Sequence, residues 1–303
     1  MEDQVKSILF ISLSCVGDAV MTTPVLEALN TKYPHAIIDI VTDARSVILY
    51  KHCPYRGDVF LKNKKKFLRG AVELLKNVRR KKYDLIVDLR TDGLAYLCHG
   101  KKRLTKWGRK PYGSHAVEQL MGTIRSVQDN LAIPNTRVWL TKTEVDFADS
   151  LLLDLPGNKW LAFAPGNFND KKIWPSDNYA ALANSFGDIF SGVILDGSKL
   201  EKHETRAVGR MLNLPFVNLA GKTNLLQAAA VLRRASLFVG GDSGLGHVAA
   251  AMSIPTLTFF SVDRPERVLP WGGNAHWLLS SDNYARNISL EDAINKVRTI
   301  INN

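Results

Sequence analysis

Three cysteines in 303 residues are too few and too scattered for a disulfide framework. Cys15, Cys53 and Cys98 form no CxxC pair, and no Asp/His cluster accompanies them, so nothing points to a zinc or calcium site. Long apolar runs are missing too. The stretch from Ile8 breaks at Gly17-Asp18 with no cleavage site after it, and no later stretch approaches the ~20 apolar residues that span a bilayer. A soluble, cytoplasmic protein is expected. Glycine is scarce where a dinucleotide would need it: the turn Ser12-Leu13-Ser14-Cys15-Val16-Gly17-Asp18 holds one, against the three of a GxGxxG fingerprint. Internal repeats, low-complexity linkers and heptads are also absent from the sequence.

What is present is ordinary globular composition, 46% hydrophobic and 23% charged, which excludes a disordered or fibrous chain. The length suits two domains. Lys+Arg outnumber Asp+Glu by 40 to 29, a net charge of +11, and the excess is uneven: 25 against 16 in residues 1–150, 15 against 13 thereafter. A basic half beside a near-neutral half suggests that one domain meets an anionic partner. The excess gathers in residues 62–82, with ten Lys/Arg against Glu73 alone, and in residues 101–110. Few aromatics interleave these runs (Phe67, Tyr83, Trp107), which argues against nucleic acid as that partner. A solvated basic face explains such runs equally well.

Short apolar runs alternate with helix-length segments, the pattern of parallel α/β sheets. Strands are expected at Ile8–Leu13, Ile37–Thr42, Val59–Leu61, Leu85–Asp88 and near Leu104. A second series follows at Trp160–Ala164, Gly192–Leu195, Phe216–Leu219, Leu237–Val239 and Pro255–Phe259. Helices should fill Asp18–Lys32, Lys66–Lys81, Ala116–Asn130, Pro175–Phe186, Glu201–Leu212, Leu225–Arg234, Gly244–Met252 and Leu290–Asn302. Two βα series of similar size predict two Rossmann-like domains facing each other across a central cleft. Pro156-Gly157-Asn158 sets the expected boundary, giving domains 1–155 and 156–303, with the last helix able to pack back on the first domain.

Three loops at expected strand ends carry polar residues toward the side where such sheets bind ligands. In the first, Asp18 opens a helix and is either its cap or a carboxylate serving as general base. The second runs Ala164-Pro165-Gly166-Asn167-Phe168-Asn169-Asp170-Lys171-Lys172-Ile173-Trp174-Pro175, where Lys172 can neutralise a phosphate or lie in solvent. The third, Gly240-Gly241-Asp242-Ser243-Gly244-Leu245-Gly246-His247, is a glycine-rich helix start suited to an anion, with His247 one turn on. A lone histidine on a small-residue helix is more often packed than catalytic.

Taken together and in order, these segments resemble the lipopolysaccharide heptosyltransferases, glycosyltransferase family 9. The resemblance rests on Ile8–Ile11 followed by Gly17-Asp18-Ala19-Val20-Met21-Thr22-Thr23-Pro24, then Tyr33-Pro34 and Ile37-Ile38-Asp39. It continues through His115-Ala116-Val117-Glu118, Pro165-Gly166 with Lys172-Ile173-Trp174-Pro175, Leu219-Ala220-Gly221-Lys222-Thr223, and Asp242–His247. It implies a GT-B fold and inverting transfer of heptose from ADP-L-glycero-D-manno-heptose to an inner-core acceptor. Asp18 matches the base. Asn167, Lys172, Thr223, Leu225, Asp242, Ser243, Gly244, Leu245 and His247 match the donor site, with Thr223 and Leu225 toward adenine. Lys62, Lys64, Lys65, Lys66 and Arg69 become candidates for docking the anionic lipopolysaccharide core, at the cytoplasmic face of the inner membrane. No cofactor and no metal are expected, since a lysine and oriented N–H groups can meet the charge on a departing ADP. Ser12-Leu13, where many members carry Lys or Arg, and Asn167-Phe168, where some carry hydroxyls, depart from the pattern. Alternatives are a related transferase using another ADP-sugar or a non-lipopolysaccharide acceptor, and a GT-B-fold sugar-nucleotide epimerase.

Overall fold

A computed structural model describes residues 5–63, 67–91, 93–108, 112–128 and 132–302. The chain divides into two compact units, residues 1–139 and 140–303.

The first unit holds a five-stranded parallel sheet of β1 (Ser7–Ile11), β2 (Ile37–Asp43), β3 (Arg56–Lys62), β4 (Tyr83–Asp88) and β5 (Gly100–Thr105), in the order β3-β2-β1-β4-β5. Its central strands are buried on both faces, as parallel strands flanked by helices must be. The helix expected over Asp18–Lys32 is two: α1 (Val16–Met21) and α2 (Thr23–Lys32). Thr22 and Thr23 turn their hydroxyls back to the carbonyls of Ala19 and Val20, both at 2.7 Å, and Pro24 has no N–H to continue the ladder. Then come α3 (Phe67–Val78), α4 (Leu94–Leu97) and α5 (Ala116–Met121). Of the helical stretch expected over Ala116–Asn130, Ala116–Met121 is α5 and turns follow to residue 127, while residues 129 and 130 lie outside the described residues. The His115–Glu118 segment is a capping box at the start of α5: His115 Nδ1 accepts from Val117 N at 3.1 Å, and Glu118 accepts from His115 N at 2.8 Å.

The second unit opens with α6 (Lys142–Leu152), which packs against α9 (Leu225–Leu232), so the division lies ahead of α6 rather than at Pro156-Gly157. Its six parallel strands are β6 (Trp160–Ala164), β7 (Gly192–Leu195), β8 (Phe216–Asn218), β9 (Leu237–Gly241), β10 (Thr256–Phe260) and β11 (Ala275–Leu279), ordered β11-β10-β9-β6-β7-β8. The helices α7 (Ser176–Asn184), α8 (Lys202–Gly209), α10 (Gly244–Ala251), α11 (Pro265–Val268) and α12 (Leu290–Ile301) complete it. Ala293, Val297 and Ile300 of α12 join the second unit's core, so the last helix packs on its own unit.

In each sheet the unit's first strand lies beside its fourth, β1 beside β4 and β6 beside β9. There the loops leave the carboxyl ends in opposite directions and open a crevice for a ligand. Cys15, Cys53 and Cys98 are free thiols. No helix among the described residues is long and apolar enough to cross a membrane.

Candidate donor site

The switch point between β6 and β9 receives the second and third loops. Trp174 is fully buried, 4.4 Å from Phe259 and 4.9 Å from Tyr179 between ring centres, and its indole N–H donates to Ile288 O at 2.9 Å. That anchor fixes the chain two residues beyond Lys172. Glycine lets the loop come close: a Cβ on Gly241 would stand 2.6 Å from the Lys172 carbonyl oxygen. Asn167 Nδ2 donates to Asp242 O at 3.0 Å, tying the two loops side to side.

Between them Lys172 Nζ reaches Asp242 Oδ2 at 2.6 Å and also pairs with Asp263, which follows β10. The carboxyl ends of three neighbouring strands thus converge on one ammonium. Burial lowers the Lys172 pKa, yet the hydrogen bonds it donates to Asp242 and Asp263 outweigh that and the net shift is upward. Burial pushes the Asp242 carboxyl up, opposed by Lys172 and assisted by Asp263. Asp263, hydrogen-bonded to Lys172 and less buried, is held below its ordinary value. One lysine cannot neutralise two carboxylates, and the acid in the drier position bears the cost.

Beside this cluster Ser243 is the N-cap of α10, but its hydroxyl makes no capping bond and is buried with no hydrogen-bond partner among the described residues. Gly244 and Leu245 start the helix, whose first-turn N–H groups have no intrahelical acceptors. The combination of a lysine, an unspent hydroxyl and a helix N-terminus suits a phosphate. His247 is 5% exposed, within the same helix.

Thr223 and Leu225 sit elsewhere, after β8, two strands from β6. Gly221 at φ +68 makes the turn before them, and Asn224 caps α9 by accepting from Leu226 and Gln227 N–H. Thr223 Oγ1 lies 3.4 Å from Oδ1 of Asp196, at the end of β7. Asp196 also accepts from Gly197 N at 2.8 Å, while its Oδ2 is buried with no partner among the described residues. Burial raises its pKa to about 6.

Asp18 lies on the first unit. Cys15 is the N-cap of α1, so Asp18 is not the cap; it is half-buried in the first turn, where a negative charge suits the helix dipole. Beneath its loop, the hydroxyls of Ser12, Thr22 and Tyr50 lie 2.6 to 3.2 Å apart, and burial lifts the Tyr50 pKa to about 12. Ser12 is therefore a packing residue at this position. Arg90 comes to Ser14 in the same loop, from a turn in which Asp88 Oδ1 accepts the N–H groups of Arg90 and Thr91 at 2.9 and 2.6 Å.

Lys62 ends β3, half-buried, and Arg69 is exposed on α3, whereas Lys64, Lys65 and Lys66 lie outside the described residues. Part of the basic excess has structural partners. Lys81 bridges buried Asp39 (2.7 Å) and Asp58 (2.8 Å), and Lys101 holds Asp84 at 2.9 Å. Arg79, Lys82, Lys101 and Arg103 line a cavity of about 470 Å³ that includes Tyr83 and Gly100. These two residues begin β4 and β5, so that cavity opens at the strand ends opposite Asp18.

Asp263, Asp196 and Arg90 are not among the residues the sequence singles out. Each follows an apolar strand, which is the one available signal, and nothing in its immediate neighbours marks it further.

Two Rossmann-ordered parallel sheets with these loops define a GT-B-type α/β protein. The chain is similar over 99% of its length to a glycosyl transferase family 9 structure from Veillonella parvula (TM-score 0.87, 21% identity, 98% of that chain). It is also similar over 97% of its length to the Escherichia coli structure described as ADP-heptose lps heptosyltransferase II (TM-score 0.79, 23% identity, 98% of that chain). The family description glycosyltransferase family 9 (heptosyltransferase) matches residues 102–297, and the chain belongs to that family. Lipopolysaccharide heptosyltransferase 2 of Escherichia coli is 27% identical over 301 residues, covering 87% of this chain and 85% of the relative.

Proposed function

We propose that the protein transfers heptose, with inversion, from ADP-L-glycero-D-manno-heptose to an inner-core lipopolysaccharide acceptor. The reading is carried by Lys172 between Asp242 and Asp263, beside a Ser243 hydroxyl that has no partner among the described residues, at the β6/β9 switch point of a family 9 chain. Relatives named for ADP-heptose and for lipopolysaccharide supply the substrate classes.

Inverting transfer is one in-line displacement. Asp18 takes the proton from an acceptor hydroxyl, whose oxygen bonds to the anomeric carbon as the bond to ADP breaks. The electron pair leaves with the β-phosphate. Lys172, the Ser243 hydroxyl and the first N–H groups of α10 meet that charge, so the step needs no metal ion. Asp242, held on its main chain by Asn167 and paired with Lys172, is the acid that accepts from a sugar hydroxyl. Thr223 and Leu225 receive the adenine end. The basic surface of the first unit, with Lys62 and Arg69, docks an acceptor rich in carboxylates and phosphates at the cytoplasmic face of the inner membrane.

The test is incubation of the purified protein, with and without EDTA, with ADP-heptose and a panel of truncated core acceptors, products being identified by mass. One added heptose on a single acceptor, unaffected by EDTA, is the expected result. ADP release or donor conversion without any acceptor product would instead favour a sugar-nucleotide epimerase, and loss of transfer in EDTA would overturn the metal-free step.

A further inference from the structure

Lys172 has three N–H donors, and two already point at carboxylates, Asp242 and Asp263. With all three groups ionised the cluster is net negative, a poor reception for a diphosphate unless one acid yields its place. The two acids are not equivalent. The Asp242 side chain is 13% exposed, its carbonyl accepts from Asn167, and its N–H donates to Phe259 O at 3.2 Å. The Asp263 side chain is 45% exposed, on the loop after β10, where a rotamer change returns it to water. Turning the Asp242 carboxylate away from Lys172 would leave a nearly dry charge without its cation, whereas turning Asp263 away breaks an ion pair that water readily replaces.

We infer that Asp263 is an exchangeable counter-ion of the donor site, which holds Lys172 when no nucleotide is bound, yields it to the incoming diphosphate, and reclaims it as the nucleoside diphosphate departs. The inference rests on the reading of Lys172 as the diphosphate contact. It has a directional consequence. A residue that merely supports Lys172 would weaken nucleotide binding when removed, but a competitor for the same ammonium must strengthen it. The product carries one more negative charge than the sugar-linked donor and holds Lys172 more strongly. A competing carboxylate therefore acts most on release, keeping the enzyme from retaining its own product.

The experiment is calorimetric titration of ADP into the wild-type chain, Asp263→Asn, Asp263→Glu, Lys172→Ala and the double variant Lys172→Ala/Asp263→Asn, with product inhibition by ADP measured on the first three. Asp263→Asn is expected to bind ADP about three- to fivefold tighter, the scale of a lost partly exposed ion-pair competitor. Its inhibition constant should fall by the same factor, and Asp263→Glu should return both values to wild type. In the Lys172→Ala background the gain should vanish, because no ammonium remains to contest. Equal or weaker ADP binding by Asp263→Asn overturns the exchange. The same gain in both backgrounds also overturns it, since that is plain repulsion of the nucleotide. If Lys172→Ala leaves ADP affinity unchanged, the diphosphate reading of Lys172 fails and takes the exchange with it. That result is distinguishable because it appears in the single lysine variant.

Discussion

The carbonyl oxygen of Lys172 stands 2.6 Å from the point that a Cβ on Gly241 would occupy, so the end of β9 and the loop that presents the lysine touch main chain to main chain. The contact works only with hydrogen at that position, because backbone cannot step aside as a flexible side chain can. Gly241→Ala should therefore displace the Lys172 loop. A cost of about 1–3 kcal/mol is the usual scale for overpacking of this kind. Denaturant unfolding gives the stability change, and ADP titration should show weaker binding; an alanine variant with unchanged affinity would show that the loop's position does not matter to the nucleotide.

Trp174 fixes the other side of the same loop. It packs on Phe259 and Tyr179 with its N–H satisfied by Ile288 O, so truncation removes a large buried ring and orphans a carbonyl. Trp174→Ala is expected to destabilise the chain by about 3–5 kcal/mol, the range for large aromatic truncations in cores. Trp174→Phe should keep most of the packing, lose the hydrogen bond, and retain nucleotide binding. Thermal unfolding with and without ADP separates the two effects.

The parallel sheets were readable because their strands are short, continuous apolar runs, such as Ile8–Ile11 and Leu237–Val239, buried on both faces. β11 was missed, since Ala275–Leu279 is a half-exposed edge strand with no such run. Apolar periodicity runs through the break between α1 and α2, which comes from the missing N–H of Pro24 together with the Thr22 and Thr23 hydroxyls turning back on the helix. Within the candidate site, Lys172 and Asp242 were legible from loops rich in Gly, Asn and Pro. Asp263 was not: it lies 21 residues beyond Asp242, and only the pairing of β9 with β10 brings it to the lysine. Asp196 was equally silent, being one acid after one apolar strand.

Asp196 yields a prediction about pH. Burial raises its pKa from 3.8 to about 6, so between those values the folded chain keeps a proton that the unfolded chain has released. Stability must then fall as pH rises through about 4 to 6, and above that window the cost of a buried, half-partnered carboxylate is fully present. The two pKa values correspond to a cost on the order of 3 kcal/mol. Asp196→Asn retains an acceptor for Gly197 N–H and Thr223 and removes the charge. Its unfolding free energy should exceed that of the wild type above pH 7 by about 1–3 kcal/mol and converge on it near pH 4. A difference independent of pH would mean that the carboxyl is not the titrating group.

Asp18 offers the separation of chemistry from binding. It sits in the first turn of α1 with Cys15 at the cap, so Asp18→Asn changes charge without removing a capping side chain. The lost interaction with the helix dipole is worth about 0.3–1 kcal/mol, so the variant should fold with a small drop in melting temperature. Asparagine cannot accept the acceptor's proton, and losing a positioned general base costs typically 10²–10⁴ in rate. The expected result is a kcat reduced by about that factor with ADP affinity unchanged, because the donor-binding candidates sit on the other unit. Retained turnover would remove Asp18 as the base, and lost ADP binding would mean that its carboxylate serves the nucleotide instead of the acceptor.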